Sequence, residues 1–303
     1  MSPDEFALAL RALGTPLFLD DAGTPTALGT EYAGTADDGT EVRIIQLAAR
    51  LTTGLRDLDA FVRAVEHHGY LGAGIAGSAL FVVEARPDGE PLAVRVAREG
   101  VIRPTTLAPL AHAAALQLAR SLAAFGAHGL ITPDTLRVGT AGKVSFRWSG
   151  IVPGLVAAGA DAAAVMEHLG ATDYLAPEVA AGAPFDARSD VYALGTTLYV
   201  ATTGRAPFGG RTTASTMAAV LTEDSMIEAS PAQRLTAAVL RAIEQDPADR
   251  WADAERFARA IEGTPHNRPA AESPRKRRRG SARIAIAAAA VGTILYLLRR
   301  LTH

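Results

Sequence analysis

The chain has 303 residues, 49% hydrophobic content and a net charge of −2. This suffices for one large domain or two lobes sharing a cleft, with no global pull toward nucleic acid. Cysteine is absent, which excludes disulfides and thiolate metal sites, and the seven histidines show no metal-ligand spacing; His67-His68 reads as a turn-like pair before Gly69.

Ser2-Pro3-Asp4-Glu5 has the form of a capping box with proline at the first helical position, predicting a short helix over residues 1–13. Strand patterns follow around Glu31–Gly34 and Glu41–Leu47, with Asp37-Asp38-Gly39 as their turn. Leu55–His68 has helical spacing, with Leu58, Phe61, Val62 and Val65 on one side. Ala79–Glu84 and Leu92–Val96 read as strands. The chain then turns Ala-rich and helical, over Leu107–Phe125, Asp161–Leu169, Ser189–Thr203, Thr213–Leu221, Pro231–Gln245 and Trp251–Ile261. A strand-rich front and a helix-rich back predict an α+β protein with a small first lobe and a larger helical second lobe.

After residue 263 the composition changes. A polar, Pro-rich linker runs to Pro274, and six basic residues fall between Arg275 and Arg283. Residues 284–298 are uncharged, and Arg299-Arg300 follows. Fifteen helical residues span roughly 22 Å, short of the ~30 Å hydrocarbon core, but Arg283 and Arg299 can snorkel. The stretch is apolar all round with no further domain to bury it, so a transmembrane helix is expected rather than a buried one. The basic excess before it places the preceding domain in the cytoplasm, and the Arg275–Arg283 run against lipid headgroups rather than nucleic acid. No signal peptide precedes the domain.

Four motifs fall in order: Gly170-Ala171-Thr172-Asp173-Tyr174-Leu175-Ala176-Pro177-Glu178, Ser189-Asp190-Val191-Tyr192-Ala193-Leu194-Gly195, Thr203-Gly204-Arg205-Ala206-Pro207-Phe208 and Asp246-Pro247-Ala248-Asp249-Arg250. They resemble the large lobe of the eukaryotic-like Ser/Thr protein kinases of bacteria. Leu28–Ile45 and Phe81–Ala93 resemble, more weakly, that family's glycine loop with its third strand and its inter-lobe strand. The resemblance implies a bilobal kinase fold over residues 14–263, with the small lobe to about 84. It implies a buried Glu178–Arg250 ion pair, Asp190 holding the catalytic-loop backbone, and His128 in a packing role.

Phosphoryl transfer is mostly positioning and charge neutralisation, so it depends on a few charged groups. On the family's pattern the phosphate-binding Lys is Ile45, the proton-accepting Asp is Leu130, the metal-binding Asn is Thr135 and the metal-binding Asp is Trp148. Two of these losses need no alignment: the lysines are Lys143 and Lys276 alone, and the one asparagine is Asn267. Arg43 stands where the family has a small residue under adenine, and it shares a strand face with Ile45. Only Gly29 remains of the three loop glycines; Thr24 and Thr26 replace the others, with Pro25 between. With Glu84 of the inter-lobe strand, Gly29 and Arg43 line a vestigial cleft. Asp134 reads as a turn residue rather than a substitute base, Arg147 as a solvated strand-end residue, and Asp59 as a surface carboxylate. Ile151–Ala171 contains no Ser, Thr or Tyr, so that span offers no phosphorylation switch.

The expectation is a catalytically inactive, membrane-anchored kinase-like domain without cofactor or metal. It would act as a scaffold or allosteric regulator of protein partners, such as an active kinase or cell-envelope proteins. The alternatives are an atypical Ser/Thr kinase, or an ATP-binding switch that retains some nucleotide binding.

Overall fold

The computed structural model describes residues 17–19, 22–36, 38–76, 79–207 and 231–262. The expected N-terminal helix, the helix over Thr213–Leu221, Phe208, the linker, the basic run and the apolar stretch 284–298 lie outside the described residues. Among the described residues no helix is long and apolar enough to cross a membrane.

The first half is an antiparallel sheet. Its strands are β1 (Leu17–Leu19), β2 (Thr24–Pro25), β3 (Gly29–Ala36), β4 (Glu41–Leu47), β5 (Gly72–Ala76) and β6 (Ala79–Ala85). They run in the order β1-β3-β4-β6-β5, with β2 also pairing β3. The period of two along β4 sorts its side chains. Val42 and Ile44 pack in a small cluster with Tyr32, Phe81 and Val83. Ile45 and Leu47 face the main core, which continues into the second half of the domain. The short α1 (Ala49–Thr52) follows β4.

Helix α2 (Leu58–His67) starts where Asp57 accepts the Ala60 amide at 2.8 Å. It buries Phe61 and Val65, as its spacing predicts, and leaves Asp59 exposed. β7 (Glu90–Pro91) pairs with β8 (Leu136–Val138), and β8 with β9 (Val144–Phe146). Leu92–Val96, expected as a strand, instead begins helix α3 (Leu92–Glu99). The alternation in Leu-Ala-Val-Arg-Val is equally an i, i+4 pattern, with Leu92 inward and Arg95 paired to Glu99 outside. The Ala93 amide, free in a first helical turn, bonds the Pro133 carbonyl at 2.8 Å.

The helical half is built on α4 (Pro104–Phe125) and α8 (Ala187–Thr203), joined by α9 (Pro231–Ala242) and α10 (Ala254–Glu262). α4 has proline in its first turn and ends at Gly126 with φ +81°. α8 has a reciprocal cap between Asp186 and Ser189 and ends at Gly204 in the left-handed conformation. Between the halves lie α5 (Ile151–Ala157), α6 (Ala162–His168) and the short α7 (Pro177–Ala180). Helix α5 was not visible in the sequence, because Pro153 and Gly154 interrupt its pattern. It buries Ile151, Val152 and Leu155. Gly154 lets it approach α2: a Cβ there would stand 3.2 Å from the Phe61 ring and 3.3 Å from Ala64.

Candidate functional site

The floor of the cleft is pinned by one buried carboxylate. Asp190, in the first turn of α8, accepts the His128 amide at 2.6 Å on one oxygen and the Gly129 amide at 2.9 Å on the other. Burial pushes its carboxyl up to about 7, while the two amides pull it down. His128 is fully buried, accepts the Leu130 amide on Nδ1 at 3.2 Å, and packs edge-on against Phe146. Its pKa falls to about 3 through burial, and it is neutral.

A second pin lies beneath the segment before α8. Arg250 forks onto Glu178 with two bonds of 2.7 Å. Its remaining donors reach the carbonyls of Glu244, Gln245 and Arg188, and its guanidinium stands 4.8 Å from the Tyr192 ring centre. The Arg250 side chain is fully buried, but Glu178 is 20% exposed. The pair is therefore buried on one side only.

The reactive positions lie above this floor. Ile45 is fully buried in the core, opposite Glu31 on β3 and Val82 on β6. Leu130 is buried as well. Thr135 is a loop lock: its hydroxyl donates to the Leu130 carbonyl at 2.9 Å and accepts the Thr132 amide at 2.9 Å. Asp134 occupies the turn between them, as expected. Trp148 is buried with φ +63°, a strained conformation for a non-glycine residue. Its indole N–H has no partner among the described residues.

The turn between β2 and β3 offers little to a phosphate. The Thr26 amide bonds the Gly29 carbonyl at 2.7 Å, the Gly29 amide returns to the Thr26 carbonyl, and Pro25 has no N–H. Gly29 itself is required, since with φ +149° a Cβ would collide with the Gln46 carbonyl.

Arg147 departs from the sequence reading. It is a buried centre of charge rather than a solvated strand end. Its guanidinium bonds Glu84 through Nε at 2.8 Å and again through Nη2, which also bonds Glu31 at 2.9 Å. Arg43 joins from β4, 3.4 Å from Glu31. Burial opposes charge on Arg147, but Glu84 and Glu31 outweigh it and raise its pKa. Burial holds the Glu84 carboxyl above its ordinary value, and the Arg147 guanidinium bonded to it offsets part of that rise. Beside this group Arg137 donates to the backbone carbonyls of Asp88 and Gly89. Burial and then repulsion by Arg147 lower its pKa.

Arg43 and Glu84 are cross-strand partners here, Ile45 lies two residues along β4, and Trp148 lies under the Arg147 guanidinium. Glu31, Arg137 and Arg147 were missed, because no motif marks them. His68 was also missed: its Nδ1 lies 2.9 Å from the Ser149 hydroxyl. Gly150 fits beneath its ring only because it lacks a Cβ. Among the described residues, no group of His, Asp and Glu has the arrangement of a metal site.

A family model described as protein tyrosine and serine/threonine kinase matches residues 155–256. Curated bacterial kinases align with more of the chain. A probable serine/threonine-protein kinase of Corynebacterium efficiens is 32% identical over 194 residues, 60% of this chain and 29% of that protein. Over these spans the chain is similar to the eukaryotic-like serine/threonine kinases of bacteria. The serine/threonine-protein kinase PknB of Mycobacterium tuberculosis is 30% identical over 152 residues, 49% of the chain and 24% of its own length. The kinase pkn3 of Myxococcus xanthus is 35% identical over 123 residues, 38% and 22% respectively. The chain spans less than a third of the length of each of these relatives. Within the kinase fold, Asp190, Glu178 and Arg250 make the contacts that the family resemblance implied. The expected solvation of Arg147 is corrected by its ion pairs, and full burial of the Glu178–Arg250 pair is corrected by the exposed edge of Glu178.

Proposed function

We propose that this kinase-family domain is a pseudokinase: it keeps the fold for its surface and does not transfer phosphate. The observation that carries this reading is the Arg147–Glu84–Glu31–Arg43 network. Four charged side chains meet between β3, β4, β6 and β9, on the strand faces where an adenine would lie. A nucleotide entering there must separate a partly buried ion network, which costs several kcal/mol per uncompensated charge. Ile45, Leu130, Thr135 and Trp148 then offer the phosphates no cation, no base and no metal ligand. Arg147 also ties β9 to the small-lobe sheet, bridging the cleft without a ligand. A domain held in one arrangement suits a scaffold or an allosteric partner of other proteins, an active kinase or envelope proteins among them. The activation segment supports the same reading: α5 and α6 are packed into the core, and Ile151–Ala171 lacks a phosphorylatable hydroxyl.

Membrane attachment through residues 284–298, with the domain cytoplasmic, is part of the proposal and rests on the sequence pattern. The full chain is expected in a carbonate-resistant membrane fraction, and recovery as a soluble protein removes the anchor. The nucleotide test is a thermal melt of the full-length protein. A ligand at a hundredfold excess over its Kd stabilises the folded state by about 2.7 kcal/mol, a shift of several degrees. No shift is expected with ATP and Mg²⁺, and no transfer of labelled phosphate to itself or to a generic substrate. A magnesium-dependent shift that disappears in Trp148→Ala converts the reading into that of an ATP-binding switch.

A further inference from the structure

The inner end of the cleft is a cavity of about 330 Å³ whose electrostatics are the reverse of a phosphate site. Trp148 and Tyr174 contribute aromatic rings, Leu130 an apolar wall, and Thr132 and Thr135 hydroxyls. Among the described residues, Asp134 is the one charged residue in the lining, and no arginine or lysine lines it. Asp134 has no hydrogen bond or ion pair among the described residues, and burial raises its carboxyl above the ordinary value. Its neighbour Tyr174 has its phenol pushed up to about 12 by burial, then by the charges of Asp134 and Asp173. The basic groups of the cleft are held elsewhere: Arg43 and Arg147 on Glu31 and Glu84, Arg137 on backbone carbonyls. A phosphate placed in the cavity would meet a carboxylate and a phenol with no counter-charge. A cation would meet an unpaired carboxyl group and two aromatic side chains. Trp148 already attracts one cation, since the Arg147 guanidinium carbon lies 5.1 Å from its ring centre.

We propose that this cavity binds a small organic ammonium ion, its charge toward Asp134 and its alkyl groups against Trp148 and Tyr174. The proposal rests on the pseudokinase reading, because a working kinase would bring phosphates to this place. The ammonium can come from a free amine or from a lysine side chain of a docked protein. Either presents the same chemistry: a positive charge on an apolar stem.

The protein contains two tryptophans, so the site has its own reporter. Full-length protein labelled with 5-fluorotryptophan gives two fluorine resonances, assigned with Trp148→Phe. Choline is the probe, and 3,3-dimethylbutan-1-ol is its neutral isostere. Choline is expected to move the Trp148 resonance saturably and leave that of Trp251 in place. The isostere and the exposed-site variant Asp134→Asn are each expected to bind about tenfold more weakly. A Gly-Lys-Gly peptide that binds more tightly than choline assigns the ammonium to a protein side chain; weaker binding assigns it to a free amine. A Trp148 resonance unmoved by millimolar choline and by the lysine peptide, or moved equally by the isostere, overturns the cation site. The pseudokinase reading has a separate outcome in the same spectra: a Trp148 resonance that moves with Mg²⁺-ATP overturns it, whatever choline does.

Discussion

Arg250 and Arg147 are the two buried arginines of the described chain, and both are held by glutamates. Arg250 sits under the segment leading to α8, in a place where the family motif specifies both partners. Arg147 sits in the cleft, with Glu84 and Glu31 from two strands of the other half of the domain, and no motif marks it. One pair maintains a shape shared with working kinases. The other is formed by residues that no motif marks. The same chemical device therefore holds two regions, one legible from residue spacing and the other formed only by the fold.

The comparison can be broken most strongly at Arg250. Arg250→Ala strips Glu178 of its counter-charge and leaves three carbonyls without their donor. The expected loss is ~3–5 kcal/mol, read as a lower denaturation midpoint. A midpoint equal to the parent's would remove the pair from the core. Arg147→Met comes next. Its carboxylate partners are each about 14% exposed and can recover some hydration, so ~2–3 kcal/mol is expected. Adding Glu84→Gln should restore much of that loss, a coupling visible in a double-mutant cycle. If the double variant is as weak as the sum of the singles, Arg147 does not act through Glu84.

The pH dependence sharpens the comparison at the floor. His128 has a depressed pKa, so its contribution is full above about 6.5 and is lost as pH falls toward 3. Asp190 has a raised one, so its contribution is present below about 4 and is lost as pH rises toward 7. The two slopes oppose each other between these limits. His128→Asn keeps an acceptor for the Leu130 amide but removes one slope. The parent is expected to lose ground to this variant below pH 6.5, by at most ~1.4 kcal/mol per pH unit. Parallel stability curves would mean that His128 protonates freely in the folded protein. The smallest effect is expected at Asp59 on α2, where the family resemblance places the glutamate paired to a lysine. With Ile45 in place of that lysine and Asp59 in solvent, Asp59→Asn should change stability by no more than ~0.5 kcal/mol. A larger loss would reveal a partner for it.

The kinase fold was legible because its pins are motif residues at fixed spacing: Asp190, Glu178 and Arg250 carry their roles in their neighbours. The losses at Ile45 and Thr135 were legible in an even simpler way, since a chain without lysine before residue 143 and with one asparagine, at 267, cannot supply those groups. Leu92–Val96 was misread because five residues of alternating pattern fit a strand and a helical i, i+4 pair equally well. Helix α5 was missed because Pro153 and Gly154 read as breakers, whereas the proline lies in the first turn and the glycine is a contact point with α2.

The sequence by itself thus determined the resemblance to bacterial serine/threonine kinases and the scarcity of lysine and asparagine, the residue types on which transfer depends. Both follow from residue identity and local spacing. Only the tertiary structure decided that Arg147 is buried, that Glu31 and Glu84 hold it, and that Asp134, Trp148 and Tyr174 share a cavity without a cation. Arg147 lies 63 residues from Glu84 and 116 from Glu31. Contacts at that separation leave no local period or spacing in the chain; they arise when β9 is folded against the sheet and burial leaves each charge no partner but the other.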